Sequence, residues 1–230
     1  MRKEHTRFRQ YAETVIPDAK RELELQQNGY KYIAGIDEAG RGPLAGPVVA
    51  AAVILPLEHP SWLNDVRDSK LLSPKKRSYL YDKIYEEINT VGVGIVSSME
   101  IDSINILQAT RLAMQNAIYK VPVLPDYILI DGMTLPDCGI SQRCVIKGDK
   151  VCLSIACASI VAKVKRDRMM EELDEIYPDY GFARHKGYGT KMHRDALNKL
   201  GPTAIHRTSF GPVKKVLVDK LNGIKSSETW

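Results

Sequence analysis

Two β-rich runs joined by a short loop constrain this chain more than any other feature. KYIAGID (residues 31–37) and VVAAAVIL (residues 48–55) flank ten residues, EAGRGPLAGP, that are rich in glycine and proline. The second run is apolar throughout, which is typical of a central strand buried on both faces. The pattern therefore predicts two strands of a buried sheet, connected by a turn.

Beyond this loop, predicted strands alternate with predicted helices. We expect strands over 91–99, 126–131 and 143–147, a helix that begins at Pro74, and further helices over 106–120, 151–176, 190–201 and 212–223. This alternation is typical of a single α/β domain. We assign it residues 31–223, including a helical C-terminal region. Residues 1–30 are expected to form a helical lead-in with a helix over 18–27, and residues 224–230 a frayed tail.

Composition limits the class of protein. Hydrophobic residues make up 44% and charged residues 27% of the 230 residues, which are ordinary globular values. The 33 Lys and Arg against 28 Asp and Glu give a net charge of +5, which permits a polyanionic partner without requiring one. No apolar stretch is long enough to cross a bilayer, and the charged first residues do not resemble a secretory signal. We therefore expect a cytoplasmic protein, with its four cysteines reduced and mostly structural.

The loop after the first run carries two acidic residues and does not fit a phosphate-binding loop. In GIDEAGRG, Arg41 and Gly42 stand where a P-loop has Lys and Ser or Thr. Asp37 and Glu38 would repel a bare phosphate but would attract a cation. Because neighbouring strand residues point to opposite faces, these two carboxylates converge only if the backbone bends between them. The alternative is a polar turn at the end of a strand.

Further carboxylates are candidates for the same site. Asp131 ends the apolar run YILID, and a third candidate is Asp149 in IKGDK or Asp167 in KVKRDR. If the helix between these two is continuous, they lie about 27 Å apart at 1.5 Å per residue and cannot share one metal centre. We favour Asp149, at a loop-to-helix junction, and expect Asp167 to pair with Lys163 or Arg166. Oxygen ligands of this kind suit Mg²⁺ or Mn²⁺ rather than Zn²⁺.

A tyrosine between two glycines lies in a basic stretch, HKGYGTKMH (185–193). The glycines are expected to hold Tyr188 on a tight, exposed turn, where an aromatic ring suits stacking on a sugar or base. The basic residues around it could contact a phosphate backbone: Arg184, Lys186, Lys191, Arg194 and Arg207. The alternative is that the tyrosine covers the edge of the core and that each basic residue is a solvated surface charge.

Several long motifs, taken in order, resemble those of bacterial ribonuclease HII. They span about residues 32–212 and comprise GIDEAGRGPLAGPVVAAAVIL, DSK (68–70), LIDGM (129–133), KGD (147–149), ASIVAKVKRDR (158–168), HKGYGT and HRTSF. The resemblance implies a ribonuclease H-like fold, with a mixed five-stranded sheet flanked by helices and a helical C-terminal region. It also implies hydrolysis of the RNA strand of RNA–DNA hybrids and incision 5′ of single ribonucleotides embedded in duplex DNA.

The resemblance also implies a catalytic centre. Four acidic residues match the family's catalytic and metal-binding carboxylates: Asp37, Glu38, Asp131 and Asp149. They are expected to hold two divalent ions, Mn²⁺ or Mg²⁺, in the substrate complex, and to yield 3′-hydroxyl and 5′-phosphate ends. The alternatives are a non-catalytic module that grips hybrids through basic residues, and a hydrolase of mononucleotides.

Substrate contacts are expected from a second group of residues. Gly40, Arg41 and Gly42 match the element that contacts the ribose and the scissile phosphate around the 2′-hydroxyl, and Tyr188 matches the tyrosine that packs at the RNA–DNA junction. The remaining expected contacts are Ser69, Lys70, Arg184 and Lys186. The partners are then RNA–DNA hybrids and DNA with embedded ribonucleotides, with no membrane involved and the protein acting as a monomer.

Overall fold

Five strands form one mixed sheet in the computed structural model, which describes residues 16–136 and 138–227. The strands are β1 (Ile33–Ala39), β2 (Val48–Ile54), β3 (Val91–Val96), β4 (Tyr127–Asp131) and β5 (Ser141–Val145). Their order is β3-β2-β1-β4-β5. β2 runs antiparallel to β1 and β3, whereas β4 runs parallel to β1 and β5. The expected mixed five-stranded sheet is confirmed.

Helices cover both faces of this sheet and extend the C-terminal part of the chain. They are α1 (Lys20–Gln27), α2 (Pro74–Glu87), α3 (Ser98–Tyr119), α4 (Gly148–Val151), α5 (Leu153–Ile176), α6 (Phe182–His185), α7 (Lys191–Leu200) and α8 (Gly211–Ser227). Ile36 and Ile130 pack with Met114 of α3 on one face, and Leu129 packs with Ile155 of α5 on the other. Gly35 lets α5 approach β1 closely, because a Cβ there would lie 2.2 Å from the carbonyl carbon of Ser154.

The end of β3 and the beginning of α3 differ from the sequence expectation for local reasons. The strand expected over 91–99 ends at Val96, because Ser97 caps α3 in a capping box with Glu100. The helix expected to begin at residue 106 is the second part of α3. It restarts after Asn105, which has a left-handed φ of 67° and whose side chain accepts the backbone N–H groups of Leu107 and Gln108. A residue that can cap and tolerate positive φ thus interrupts α3.

The helix expected over 151–176 is also interrupted near its start. Cys152 has extended dihedrals (φ −128°, ψ 121°), so the four-residue helix α4 precedes α5 as a separate element. The buried carboxylate of Glu22 on α1 accepts the backbone N–H of Ser154 at 2.8 Å, which ties α1 to the beginning of α5. The remaining part of the expected N-terminal lead-in, residues 1–15, lies outside the described residues.

The C-terminal helices and the cysteines agree with the sequence expectations. The helices expected over 190–201 and 212–223 correspond to α7 and α8. Tyr180 and Phe182 stack with ring centroids 5.3 Å apart, in a cluster against which Ala196 of α7 packs. All four cysteines are free thiols. None of the helices in the described ranges is long and apolar enough to cross a membrane.

Candidate active site

Asp37 and Asp131 lie side by side at the ends of two neighbouring parallel strands. The register pairs Ile36 of β1 with Ile130 of β4, so the next residues of each strand stand at the same level, about 4.8 Å apart between strands. Both side chains point to the α5 face, because residues two apart in a strand share a face and Gly35 and Leu129 contact α5. The sheet therefore juxtaposes two carboxylates that are 94 residues apart in the sequence.

This juxtaposition has an electrostatic cost. Asp37 is buried, and burial together with the charges of Glu38 and Asp131 raises its pKa well above the usual value. Burial also raises the pKa of Asp131, to which the charges of Asp149 and Asp68 contribute, while a hydrogen bond from Gly148 opposes the shift. Without a cation, these carboxylates destabilise one another's ionised forms.

Asp149 is brought to the same edge by a hydrogen bond between the end of β4 and the beginning of α4. The backbone N–H of Gly148 donates to Oδ1 of Asp131 at 2.6 Å, and Lys147 adopts a left-handed conformation (φ 55°) just before it. The separate helix α4 then begins, and Asp149 in its first turn is buried. Asp167, the alternative candidate, pairs instead with Lys163 at 2.6 Å, as the sequence predicted.

Glu38 does not converge with Asp37 by the bend that the sequence analysis required. The ladder between β1 and β2 continues without interruption from Asp37↔Ala51 to Ala39↔Val49, so the strand stays regular and the turn begins only at Gly40. Oε1 of Glu38 instead lies 3.3 Å from Nη1 of Arg41. Burial raises the pKa of Glu38, Arg41 opposes the shift, and Asp131 adds to it, so Glu38 still interacts with the other carboxylates.

A fifth carboxylate, Asp68, and the ammonium of Lys70 border the group. Asp68 is buried, accepts the backbone N–H of Lys70 at 2.9 Å, and lies 3.7 Å from Nζ of Lys150. Nζ of Lys70 lies 3.3 Å from Oδ2 of Asp149. Although partial burial works in the opposite direction, Asp149 and Asp68 raise the pKa of Lys70. Asp68 was not predicted as a site residue although the DSK motif contains it, because no end of a predicted strand or helix falls at this position.

Ser69 lies beneath the site rather than on its surface. Its hydroxyl is buried and 3.0 Å from the hydroxyl of Ser159. Ser159 opposes the rise in the pKa of Asp37, which burial dominates. Lys70, the next residue, is exposed. Of this pair, only Lys70 presents a side chain that could reach a ligand from the solvent.

The glycine loop and the tyrosine turn face one another. Gly42 is exposed, and a Cβ at Gly42 would lie 3.8 Å from Cε1 of Tyr188, whose ring is 45% exposed. The backbone N–H of Leu44 donates to the carbonyl of Gly187 at 2.8 Å and joins the two segments. Tyr188 therefore lies on an exposed turn, as predicted, directly across from Gly42.

The basic residues near Tyr188 differ in their availability. Arg184 is exposed, whereas Nζ of Lys186 is held 2.6 Å from Glu171. Arg207 was expected to offer a basic group to a phosphate backbone, and this expectation is wrong. Its side chain is fully buried and donates to the backbone carbonyls of Gly40, Arg41 and Gly46, because the fold inserts it beneath the glycine loop.

The chemistry of the acidic side chains suits a divalent cation, but their positions are too far apart to bind one without movement. In the described ranges, no three His, Cys, Asp or Glu side chains stand close enough to hold a metal ion as they are. Two of the candidate ligands are paired with cations instead: Glu38 with Arg41, and Asp149 with the ammonium of Lys70. The oxygen-only donors, the mutual repulsion of Asp37 and Asp131, and a lysine cation beside Asp149 all fit a site for a hard divalent ion, with rotation of the engaged side chains.

Comparisons with known proteins agree with the motifs. The family model described as ribonuclease HII matches residues 34–213. Ribonuclease HII of Bacillus cytotoxicus is 48% identical over 220 residues, which cover 96% of this chain and 84% of that protein.

Solved structures show the same fold. The ribonuclease H2 of Pyrococcus horikoshii has a TM-score of 0.69 at 26% identity, over 82% of this chain and 98% of that one. A Bst ribonuclease HIII in complex with Mn²⁺ has a TM-score of 0.66 at 22% identity, over 86% of this chain and 72% of that one, and this likeness concerns the fold alone. The ribonuclease H-like fold is confirmed.

Proposed function

Because the chain belongs to the ribonuclease HII family, we propose that it cuts duplex DNA on the 5′ side of single embedded ribonucleotides. Membership itself makes the protein an enzyme, a type 2 ribonuclease H that acts as an endoribonuclease on RNA–DNA hybrids. The observation that carries the finer proposal is the closeness of Gly42 to the ring of Tyr188, beside the strand that carries Asp37 and Glu38 near its end. A single nucleotide can be read between such a loop and ring.

The acidic residues are proposed to hold the metal. Asp37, Glu38, Asp131 and Asp149 would bind two Mg²⁺ or Mn²⁺ ions once Lys70 and Arg41 release their partners. When bound, such ions lower the pKa of an attacking water and stabilise the departing 3′-oxygen. The raised pKa values of Asp37 and Asp131 support this role, because a divalent cation would relieve the repulsion between their ionised forms.

The glycine loop is proposed to recognise the ribose. A 2′-hydroxyl both donates and accepts hydrogen bonds, and it is the group that separates RNA from DNA locally. Gly42 has no side chain between its backbone and the solvent, so backbone groups of the loop can reach this hydroxyl. The half-exposed ring of Tyr188 would then stack on the sugar that follows, at the junction with DNA.

Exposed cations would hold the phosphates on either side. Arg41, Lys70 and Arg184 are exposed and lie on the segments that border the carboxylates and the tyrosine turn. For Lys186, whose ammonium is engaged by Glu171, and for Ser69, a substrate contact stays a prediction. We further propose that the protein acts in the cytoplasm, and that it does so as a monomer, since one chain supplies every residue named above.

A mapped cleavage assay tests this proposal. A labelled duplex with one ribonucleotide is incubated with EDTA, Mg²⁺ or Mn²⁺, beside an all-DNA duplex of the same sequence and a continuous RNA–DNA hybrid. We expect metal-dependent cutting of the hybrid and a single cut 5′ of the ribonucleotide that leaves a 3′-hydroxyl, with the all-DNA duplex intact. Cutting of the hybrid while the embedded ribonucleotide is ignored, or cut on its 3′ side, would overturn the finer proposal.

Two further controls in the same assay test whether this site makes the cut and whether the protein is a nucleotide hydrolase. Asp37→Asn is expected to bind the duplex and leave it intact with either metal, which shows that the wild-type cut comes from this site. A mononucleotide substrate is expected to stay unchanged in the same mixture. Turnover of the mononucleotide without any need for a duplex would instead favour the third reading of the sequence, a nucleotide hydrolase.

A further inference from the structure

Two buried arginines from distant parts of the chain hold the glycine loop from beneath. Arg207, which precedes α8, donates through Nη2 to the carbonyl of Gly40 at 2.6 Å and through Nη1 to that of Arg41 at 3.0 Å. Its Nε and Nη2 also donate to the carbonyl of Gly46 at 3.1 and 2.9 Å. Arg166 of α5 donates to the carbonyls of Pro47 and Ala45 at 2.9 and 3.1 Å. Five carbonyls of the loop thus accept from guanidinium groups: those of Gly40, Arg41, Ala45, Gly46 and Pro47.

Neither guanidinium is neutralised by an ion pair in the described ranges. Their side chains are 0% and 1% exposed, and no carboxylate oxygen there lies within 4.0 Å of either one. The neighbouring acids are engaged elsewhere, Asp167 with Lys163 and Asp102 with the backbone and hydroxyls of Thr208 and Ser209. Burial lowers the pKa of Arg207 to about 9, which leaves it charged at neutral pH. An unpaired buried charge is costly for folding.

The direction of the carbonyls determines where the loop's donors point. The peptide bonds of the described chain are trans, so a carbonyl and the N–H of the same peptide group point in opposite directions. Because Arg207 draws the carbonyls of Gly40 and Arg41 inwards, the N–H groups of Arg41 and Gly42 point outwards. Within the described chain neither N–H has an acceptor, and both residues are exposed. Two successive outward N–H groups form a concave site for an oxygen-bearing ligand.

Arg166 extends this arrangement to the tyrosine turn. Its Nη1 donates to the carbonyl of Lys186 at 2.9 Å, and its Cζ lies 6.0 Å from the centroid of the Tyr188 ring. The same side chain lies under Gly40, where a Cβ would be 2.1 Å from Nε. One buried side chain therefore fixes both the glycine loop and the turn that carries the tyrosine.

We propose that Arg166 and Arg207 are positioning residues that make the backbone of the glycine loop selective for a ribonucleotide. They turn the N–H groups of Arg41 and Gly42 towards the ribose 2′-hydroxyl or the adjacent phosphate oxygen, and their unneutralised charge favours that oxygen-rich ligand. This inference rests on the proposed function and adds the residues on which its selectivity depends. Lysine cannot replace them, because a single ammonium cannot bond to three carbonyls in the fixed directions of a guanidinium.

The test measures binding separately from cleavage. In an Asp37→Asn background, affinities are measured for a duplex with one ribonucleotide and for the same duplex in DNA only. We expect Arg207→Lys and Arg166→Lys to reduce the ratio of the two affinities by about tenfold, the equivalent of one lost hydrogen bond. Arg168→Lys is the matched control, since Arg168 lies on the same helix as Arg166 and is exposed. It contacts Ser78, Asp82 and the ring of Tyr81. The Arg168→Lys variant should leave the ratio unchanged.

The outcomes distinguish this inference from the proposed function. If the Asp37→Asn protein itself does not prefer the ribonucleotide duplex, the proposed function fails. If it does and Arg207→Lys folds with an unchanged ratio, the guanidinium only packs the loop and the inference is overturned. Should the lysine variants not fold, the amide resonances of Arg41 and Gly42 and the guanidinium Nε resonances of Arg166 and Arg207 are followed in the Asp37→Asn protein as the ribonucleotide duplex is added. Joint shifts of the amide and guanidinium resonances with the ribonucleotide duplex alone support the inference, and amide shifts with unchanged guanidinium resonances refute it.

Discussion

Oδ1 of Asp131 accepts a hydrogen bond of 2.6 Å from the backbone N–H of Gly148. This bond joins the end of β4 to the first residue of α4 and so places Asp149 next to a carboxylate 18 residues earlier in the chain. The parallel pairing of β1 with β4 adds Asp37. The acidic centre thus depends on the register of β1 with β4 and on the hydrogen bond between Gly148 and Asp131.

The first prediction concerns the stability of the metal-free protein. The folded state raises the pKa of Asp37 above its ordinary value of 3.8. Between pH 3.8 and that raised pKa, the folded protein therefore binds more protons than the unfolded one. The free energy of unfolding therefore falls as pH rises through that window. In EDTA, Asp37→Asn removes this buried charge and should raise Tm at pH 7.5. The expected rise is about 2–4 °C for each kcal/mol gained in the free energy of unfolding, with little change near pH 4.

Calorimetry at the two pH values checks this expectation. Asp167→Asn serves as the control, because Asp167 pairs with Lys163 and its loss relieves no repulsion. A lower Tm for Asp37→Asn than for wild type at pH 7.5 in EDTA would contradict the account of the buried, repelled carboxylate.

Gly40 and Gly42 should respond differently to alanine. Gly40 has a φ of 98° and lies against Arg166, so Gly40→Ala should lower the free energy of unfolding by roughly 2 kcal/mol or more. Gly42 meets only the Tyr188 ring at 3.8 Å, so Gly42→Ala should keep Tm near that of wild type but weaken cutting at an embedded ribonucleotide, because its methyl group would face the ribose. Equal cleavage by Gly42→Ala and wild type would count against ribose contact at this loop.

Tyr188 should matter most where RNA meets DNA. Tyr188→Ala is expected to lose more activity on a single embedded ribonucleotide than on a continuous hybrid, since only the former depends on stacking at one junction. Tyr188→Phe keeps the ring and should retain most of the activity. Equal losses of Tyr188→Ala on both substrates would separate this ring from reading of the junction.

The histidines beneath the tyrosine turn predict loss of stability in acid. Nε2 of His193 and of His206 lie 3.0 Å apart, and burial is the main cause that lowers the pKa of each to about 4. The unfolded chain therefore binds more protons below about pH 6.5, so the free energy of unfolding falls from there towards pH 4, by up to about 3 kcal/mol per imidazole. Nitrogen chemical shifts of the rings check this, and protonation of both near pH 6.5 would be inconsistent with it.

The positions of Asp131, Asp149 and Tyr188 in the secondary structure could be predicted, because residues close to them in the sequence determine them. Asp131 ends an apolar strand, and helix rise excludes Asp149 and Asp167 from one metal centre, so the position of Asp149 at a loop-to-helix junction favoured it. The exposed turn at Tyr188 follows from its flanking glycines, of which Gly187 has a φ of 81°. These features depend on neighbours within a few residues.

Other parts depend on contacts that no local pattern encodes. Arg207 reads as one more surface cation, yet it bonds to Gly40, 167 residues away, and is fully buried. The expected bend between Asp37 and Glu38 is absent because β2 pairs with β1 through both residues. The ammonium of Lys70 beside Asp149 likewise arises only when a loop 79 residues earlier folds over α4.

The binding of Mn²⁺, followed by calorimetric titration of the folded protein without substrate, tests the shared acidic centre most directly. Asp37→Asn, Glu38→Gln, Asp131→Asn and Asp149→Asn are compared with wild type and with Asp167→Asn. We predict that each of the four weakens Mn²⁺ binding while Asp167→Asn leaves it unchanged. Wild-type affinity in Asp131→Asn or Asp149→Asn, in a protein with native thermal stability, would contradict the account.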